Sequence, residues 1–195
     1  GASGLACAIK AKNKNNEVII LEKESKCGKK ILVTGNGKCN YFNDDFTIDH
    51  YNSNNKDILN EVINEDNKKL VLDFFDSIGI IPKIKDNYYY PVTNQAITIR
   101  EALVNYALKI GVKIITDVNI VDINYNGKYE IITTDNTYTS DNLVLATSLL
   151  AMKGNEFGMN IARKFNHSVI EPLPALVQLK GNEKYFKEWA GIRTD

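Results

Sequence analysis

The chain has 195 residues, of which 44% are hydrophobic, and its 24 lysines and arginines balance its 24 aspartates and glutamates. This length suffices for one sizeable core and the start of a second domain, and the balanced charge excludes an overall field that would draw the chain to nucleic acid or to an anionic membrane. No apolar run approaches the roughly 20 residues of a membrane-spanning helix and the start lacks the regions of a signal peptide, so we expect no membrane association and a cytoplasmic protein.

The first part of the chain, residues 1–45, has the element order of a dinucleotide-binding unit. A glycine-rich turn at residues 1–4 leads into apolar residues at helical spacing, which predict a helix over Gly4–Ala11. The run Glu17–Leu21 then predicts a parallel strand that is buried on both faces, with Glu22 at its end. Because the sequence starts inside a turn and stops just after a strand-like segment, we expect a fragment of a larger protein.

Residues 46–110 are predicted to form a helical insertion. Apolar residues at helical spacing predict one or two helices over Asp57–Ile78 and a further amphipathic helix over Ile97–Ile110, each ended by a glycine. The run Tyr88–Pro91 between them is predicted to be extended. Aromatic residues prefer strands, so we interpret these tyrosines as part of a β-rich core or edge rather than as a surface that stacks on a base or ring.

Residues 111–169 are predicted to complete the domain that the first part begins. Val112–Thr116 is a predicted strand, and Val118–Thr139 is a predicted three-stranded meander that contains the strong hairpin signal Asn126-Gly127. A short buried strand is predicted at Leu143–Ala146. A β-meander in the crossover is typical of FAD domains, so the predicted fold class is α/β: a Rossmann-like FAD-binding domain of the glutathione-reductase type with a helical insertion.

The turn at the start of the chain has the features of a phosphate-binding turn. Gly1 would let the backbone approach a pyrophosphate, and Gly4 would let the helix pack closely on the strand. The start of the helix offers unpaired N–H groups and a positive dipole end, to which Ser3 could add a hydroxyl. Gly-x-x-Gly is also a common helix start, so this turn alone leaves both interpretations open.

Glu22 adds a second feature of dinucleotide binding. It lies 18 residues after Gly4, at the predicted end of a strand, where a carboxylate can accept both ribose hydroxyls of an adenosine and would repel a 2′-phosphate. This position favours FAD or NAD over NADP. The alternative is a solvated acid at the end of a strand.

A glycine-rich loop follows from Gly28 to Asn40. Its small residues allow backbone N–H groups to lie against a phosphate or a flavin ring. The segment from Glu22 to Asn43 resembles the signature of the BaiN-like flavoproteins, which are NAD(P)/FAD-dependent oxidoreductases that include aminoacetone oxidase. Further matches in the same order extend the resemblance over nearly the whole chain.

The sequence departs from this family at three positions. Asn36 replaces the middle of three glycines, and asparagine is the non-glycine residue most tolerant of positive φ. Lys38 replaces an arginine, which keeps the charge but loses the planar fork. The family has Ala-Thr-Gly-Gly where this chain has Ala146-Thr147 followed by Ser148-Leu149-Leu150, so the path of residues 148–158, which include Gly154 and Gly158, is left open.

The resemblance implies FAD as cofactor, hydride transfer through flavin N5, and a β-rich substrate domain that begins within residues 170–195. NAD(P)H is a candidate reductant. The resemblance, together with the arguments from the turn and the strand end, gives a set of predicted cofactor contacts. In this set Val118 belongs to the adenine pocket, and Ala146 and Thr147 belong to the flavin side. The set is Gly1, Ser3, Gly4, Glu22, Lys23, Lys29, Lys30, Thr34, Gly35, Gly37, Cys39, Asn40, Val118, Ala146 and Thr147.

Three functions remain open at this level. The main prediction is an FAD-dependent oxidoreductase that acts on a small molecule, by amine oxidation or by reduction of an unsaturated substrate. The alternatives are a uracil-reducing enzyme with RNA as its partner and a non-catalytic nucleotide-binding fragment. No catalytic side chain is assigned, because the flavin itself carries the hydride.

The cysteines and histidines are predicted to have structural roles. Three cysteines without Cys-x-x-Cys spacing fit neither a disulfide framework nor a structural zinc site, so no metal is expected. Cys7 is interpreted as core packing and Cys27 as a loop thiol, while Cys39 packs in the core or lies near the flavin. Isolated His50 and His167 are not predicted to be catalytic.

Overall fold

The computed structural model of the chain describes residues 1–148, 156–172 and 188. Five helices and eight strands occur within them, together with short 3-10 segments at Lys29–Gly37 and Ile48–His50. The helices are α1 (Ala2–Ala11), α2 (Lys56–Val62), α3 (Glu65–Ser77), α4 (Ala96–Lys109) and α5 (Phe157–Lys164). The strands are β1 (Ile19–Leu21), β2 (Phe42–Asn43), β3 (Pro82–Lys85), β4 (Tyr88–Pro91), β5 (Lys113–Ile115), β6 (Ile120–Tyr125), β7 (Tyr129–Thr133) and β8 (Thr137–Ser140).

A parallel pair of strands and two helices enclose the main core. β1 and β5 pair in parallel, with Ile20 opposite Ile114. Helices α1 and α4 pack on each other through Leu5, Ala8 and Leu103, which are buried in the main core. Since β5 follows β1 only after a long connection that contains α4, this is the helix-on-parallel-sheet arrangement of a Rossmann-like α/β fold.

Two strands of the predicted insertion, β3 and β4, form a small antiparallel sheet with β2, which precedes the insertion. The strand order of this sheet is β2-β4-β3, with Phe42 opposite Tyr89. Tyr89 is buried and meets Tyr41 and Phe42 edge-on, at centroid distances of 6.2 and 5.6 Å. The interpretation of the tyrosine run as a strand is therefore confirmed, and the sheet is held by aromatic packing.

The meander is an antiparallel sheet in the order β6-β7-β8. Its first turn contains Gly127 at φ 77°, as the Asn-Gly hairpin signal predicts. Helix α5 packs on this sheet through Ile161, which joins Ile123 and Ile131 in a second core. Lys164 Nζ also donates to Asp122 at 2.7 Å, so the helix is attached to β6 by a charged bond as well as by apolar contacts.

Helices α3 and α4 end at the glycines that the sequence predicts as their ends. Gly79 and Gly111 lie just beyond α3 and α4 at φ 84° and 88°, the left-handed conformation that commonly ends a helix. α1 begins two residues earlier than predicted, at Ala2. No helix in the described part of the chain is both long and apolar enough to cross a membrane.

The predicted strand at Leu143–Ala146 is wrong. This run has no regular secondary structure, and Val144 and Leu145 are 63% and 38% exposed. A buried strand needs a hydrogen-bonded neighbour. Within the described residues β1 and β5 pair only with each other, so residues 143–146 have no strand neighbour there. Apolar composition alone therefore does not make this run a strand.

Candidate cofactor site

The first turn of α1 has unpaired backbone N–H groups, and no acidic side chain in that turn accepts hydrogen bonds from them. The first described bond of the helix joins Leu5 N to the Gly1 carbonyl at 3.0 Å, so the N–H groups of residues 2–4 precede it. Gly1 is the N-cap and has no side chain with which to cap them, and the first turn contains no acidic residue. An anion can therefore accept bonds from this helix end. Ser3 is exposed beside it.

Ala146 lies against the same helix start, and Thr147 lies against α5. A Cβ built on Gly4 would lie 3.3 Å from the Cβ of Ala146, so a larger residue than glycine would separate α1 from this segment. A Cβ built on Gly158, in the first turn of α5, would overlap Thr147 Oγ1. Ala146 and Thr147 thus each approach a glycine closely, one on α1 and one on α5.

Glu22 follows directly after β1 and is held by backbone bonds on both sides. Its N–H donates to the Ile115 carbonyl at 2.9 Å, and its own carbonyl accepts from Val118 N at 3.0 Å. Its Oε1 accepts from Glu24 N at 3.1 Å, and its Oε2 lies 3.6 Å from the nitrogen of Gly1. The carboxylate is therefore placed at the glycine turn, with buried Val118 next to it.

The loop from Gly28 to Asn40 contains a run of left-handed backbone. Gly35 and Asn36 both have φ 53°, and Gly37 has φ 80°. The tolerance of Asn36 for positive φ is confirmed. A Cβ on Gly35 would lie only 3.0 Å from Asn40 N, so glycine is required there by contact as well as by conformation. Residues 33–38 are exposed and so can meet a ligand.

Helix α4 supports this loop from below, through a residue that the sequence reasoning missed. Arg100 Nε donates to the Cys27 carbonyl at 2.9 Å, and a Cβ on Gly28 would lie 3.2 Å from Arg100 Cγ. The guanidinium is largely buried and also pairs with Glu101. An arginine on the inner face of an amphipathic helix is the signal that could have indicated it.

Two of the predicted lysine contacts already have partners within the protein. Lys29 Nζ binds Glu24 Oε2 at 2.7 Å, and this bond lowers the pKa of the Glu24 carboxyl. Lys30 Nζ donates to Ser148 Oγ at 2.8 Å, which connects the loop to the segment that contains Ala146 and Thr147. Lys23 is exposed at the same edge.

The thiols near the site are protonated and packed. Cys27 and Cys39 are buried, and burial raises the pKa of both. Cys39 has φ 56° and is held by a bond from its N–H to the Thr34 carbonyl at 3.1 Å. A buried neutral thiol is a poor nucleophile, so neither cysteine is a candidate nucleophile, and Cys27 is more buried than a loop thiol would be.

Other predicted or considered residues lie away from this arrangement. His50 binds Asp45 Oδ2 at 2.8 Å in the insertion, and His167 follows α5. Cys7 is only half-buried on α1. Gly154 and the predicted start of the substrate domain, apart from residues 170–172 and 188, lie outside the described residues. Within the described ranges, no three histidine, cysteine or acidic residues are grouped so that they could hold a metal ion.

These features fit a dinucleotide. A helix start without a cap suits the pyrophosphate, a carboxylate fixed beside the glycine turn suits a ribose, and Gly4 allows Ala146 to approach the helix. The contact of Lys30 with Ser148 brings the glycine-rich loop to the same edge. A solvated acid at the end of a strand would not need to be fixed beside a glycine turn, so the geometry favours the interpretation of Glu22 as a binding residue.

Comparisons with known proteins give a consistent family. The model of the HI0933-like protein Rossmann domain matches residues 1–193. The chain is 34% identical to the 3-dehydro-bile acid delta(4,6)-reductase of Clostridium scindens, with 100% of this chain and 49% of that protein aligned. It is 27% identical to the ribosomal RNA dihydrouridine synthase of Haemophilus influenzae, with 98% of this chain and 50% of that protein aligned. The chain therefore spans about half the length of both relatives.

Among solved structures, a crystal structure of native FqzB is similar over 72% of this chain and 32% of that one. The TM-score is 0.40 and the sequence identity is 16%.

Proposed function

This chain belongs to the HI0933-like Rossmann-domain family, a family of FAD-dependent oxidoreductases, and from that premise we propose that it binds FAD and serves flavin-dependent reduction. The observation that carries the proposal is the meeting of Gly1, Gly4, Glu22 and Ala146 at one end of α1. These residues come from three distant parts of the sequence. Their convergence on a helix start is the arrangement that a dinucleotide needs.

In this proposal each part of the site has one task. The N–H groups at the start of α1, with Ser3, bind the pyrophosphate; Glu22 accepts the ribose hydroxyls; and Val118 borders the adenine. The flavin side is formed by the loop contacts and by the segment after β8, which are Lys23, Lys29, Lys30, Thr34, Gly35, Gly37, Cys39, Asn40, Ala146 and Thr147.

The chemistry needs no nucleophile from the protein. When bound, FAD supplies hydride transfer at its N5. The residues of this chain position the cofactor: α4 fixes the loop through Arg100, and Lys30 connects the loop to Ser148. Since burial keeps Cys27 and Cys39 as thiols, they would not compete as redox groups beside the flavin.

We propose a small unsaturated molecule as the substrate and NAD(P)H as the reductant. The names of both relatives describe hydrogen addition, by a bile-acid reductase in one and a dihydrouridine synthase in the other. The small molecule is preferred over RNA because the 24 basic and 24 acidic residues balance, so no overall field draws the chain to a polyanion. The three free cysteines suit a reducing compartment, for which we propose the cytoplasm.

The test is flavin binding by the protein expressed from its complete gene. We expect a visible flavin spectrum that anaerobic NADH or NADPH bleaches, and a Glu22→Gln variant that binds FAD at least about tenfold more weakly, because a charged hydrogen bond to ribose is lost. Glu17→Gln is the matched control, since Glu17 is an exposed acid before β1 that pairs with Lys113.

Three outcomes would contradict parts of this proposal. A protein that neither carries flavin nor binds added FAD would remove the cofactor assignment. Equal FAD affinity of Glu22→Gln and Glu17→Gln would remove the role of Glu22. Consumption of oxygen with an amine, without bleaching by NAD(P)H, would replace reduction by amine oxidation.

A further inference from the structure

A recess lies beside β2, on the chain segment that follows the glycine-rich loop. It has a volume of about 480 Å³, and aromatic side chains form most of its lining. Its floor contains Phe42, only two residues after Asn40, and its sides are completed by Phe46, Tyr51 and Tyr88. β2 therefore runs directly from the proposed flavin loop into this recess.

The floor of the recess is rigidly packed, whereas its sides are not covered. Phe42 is buried and its ring lies 5.3 Å from Phe46 and 5.6 Å from Tyr89, centroid to centroid. In contrast, Tyr51 and Tyr88 are 47% and 41% exposed. Tyr88 also meets Tyr90 at a centroid distance of 6.4 Å, and the exposed parts of the Tyr51 and Tyr88 rings provide stacking surface beside the fixed aromatic floor.

One edge of the recess is polar and ordered. His50 Nε2 and Asp45 Oδ2 lie 2.8 Å apart. Asp45 is held in turn by a bond from its N–H to Asn43 Oδ1 at 2.9 Å. Aromatic walls with a few fixed polar groups at one side are the usual composition of a small-molecule site.

We propose that this recess binds the planar ring of the substrate, with Tyr51 and Tyr88 against its faces and the His50–Asp45 pair at its polar edge. The assignment of the ring to the substrate rests on the proposed function, since the recess adjoins the loop to which we assign the flavin. Asp44 is paired with Lys68, but Asp45 and Asp49 add two further carboxylates on the same segment, and they favour an uncharged ring over an anionic one.

The experiment uses β-naphthol as the probe, in the protein expressed from its complete gene, with binding followed by fluorescence or by ligand-observed NMR. Tyr51→Ala and Tyr88→Ala should each weaken β-naphthol binding about tenfold, in the range that loss of one stacked ring produces. Tyr125→Ala is the matched control, because Tyr125 is 57% exposed on β6, in a different sheet. β-naphthoate, which is anionic, should bind more weakly than β-naphthol to the unaltered protein.

The results separate this inference from the flavin proposal. Saturable binding that both recess variants weaken, and that Tyr125→Ala does not, supports the ring site whether or not the protein carries flavin. Equal binding by all variants, or none in a protein that shows a flavin spectrum, overturns the ring site and leaves the flavin proposal intact. If Tyr88→Ala does not fold, as judged by circular dichroism, Tyr51→Ala decides the result, because Tyr51 lies outside the regular elements.

Discussion

At the scale of single residues, the loop after β1 is shaped by backbone conformations that few amino acids tolerate. Positive φ occurs at Gly28, Gly35, Asn36, Gly37 and Cys39. Glycine adopts this region freely and asparagine does so at modest cost. Cys39 is the exception, and its conformation is maintained by its bond to Thr34 and by burial. A left-handed cysteine costs roughly 1–2 kcal/mol, which the sequence alone gives no reason to expect.

Gly35→Ala tests the conformation of this loop. We expect it to lower the free energy of unfolding by about 2–3 kcal/mol, because it combines left-handed strain with a Cβ that presses on the Asn40 backbone. Gly127→Ala is the control: Gly127 has φ 77° with nothing near its Cβ position, so strain alone should cost about 1 kcal/mol. Equal losses in urea unfolding would show that the contact with Asn40 is unimportant.

At the scale of elements, α4 connects the core to the candidate site. Ile99, Leu103 and Ala107 recur every four residues and are all buried, whereas Leu108 on the other side is 51% exposed. The buried stripe packs on α1, and Arg100 reaches the loop at Cys27. One helix thus holds both α1, which offers the N–H groups, and the loop that we assign to the flavin.

Leu103→Ala tests this supporting role. Leu103 is 2% exposed, so its truncation should lower the free energy of unfolding by about 2–4 kcal/mol through lost burial and a cavity. Leu108→Ala, on the same helix, should change it by less than about 0.5 kcal/mol. Thermal or urea unfolding followed by circular dichroism measures both, and a comparable loss in the two variants would mean that α4 does not pack as described.

At the scale of the whole molecule, the total formal charge is zero although the chain contains one basic and one acidic segment. Residues 1–40 contain eight lysines and three acidic residues, whereas residues 41–80 contain nine acidic and three basic residues. Several surface carboxylates pair with lysines, and the hydrogen bond from the lysine lowers the pKa of each carboxyl. These pairs are Glu24 with Lys29, Asp44 with Lys68, and Asp122 with Lys164.

The lowered carboxyl pKa values predict loss of stability in acid. As the pH falls below about 4, the unfolded chain takes up protons on these carboxyls before the folded protein does, so folding becomes less favourable until the folded values are also passed. We expect the melting temperature to fall through this range, and to fall less in about 1 M salt, which screens exposed pairs. A melting temperature that is constant between about pH 7 and about pH 3 would contradict this.

Much of the candidate site was accessible from local sequence. Backbone freedom, helix position and strand-end charge depend on neighbouring residues and predict Gly1, Gly4 and Glu22. The individual contacts in the loop from Gly28 to Asn40 follow from the resemblance to the BaiN-like family. Arg100 was missed because its bond to Cys27 joins residues 73 positions apart. Similarly, nothing local to Tyr51 and Tyr88 shows that they border one recess with Phe42.

The sequence by itself determined the family, confirmed by the match over residues 1–193, the α/β order of elements, and the helix ends at Gly79 and Gly111. Only the tertiary structure decided that Ala146 lies against Gly4, that Thr147 lies against Gly158, and that Leu143–Ala146 is not a strand. Periodicity and φ preference act within a few residues, whereas these contacts join segments far apart in the chain, and packing alone brings such segments together.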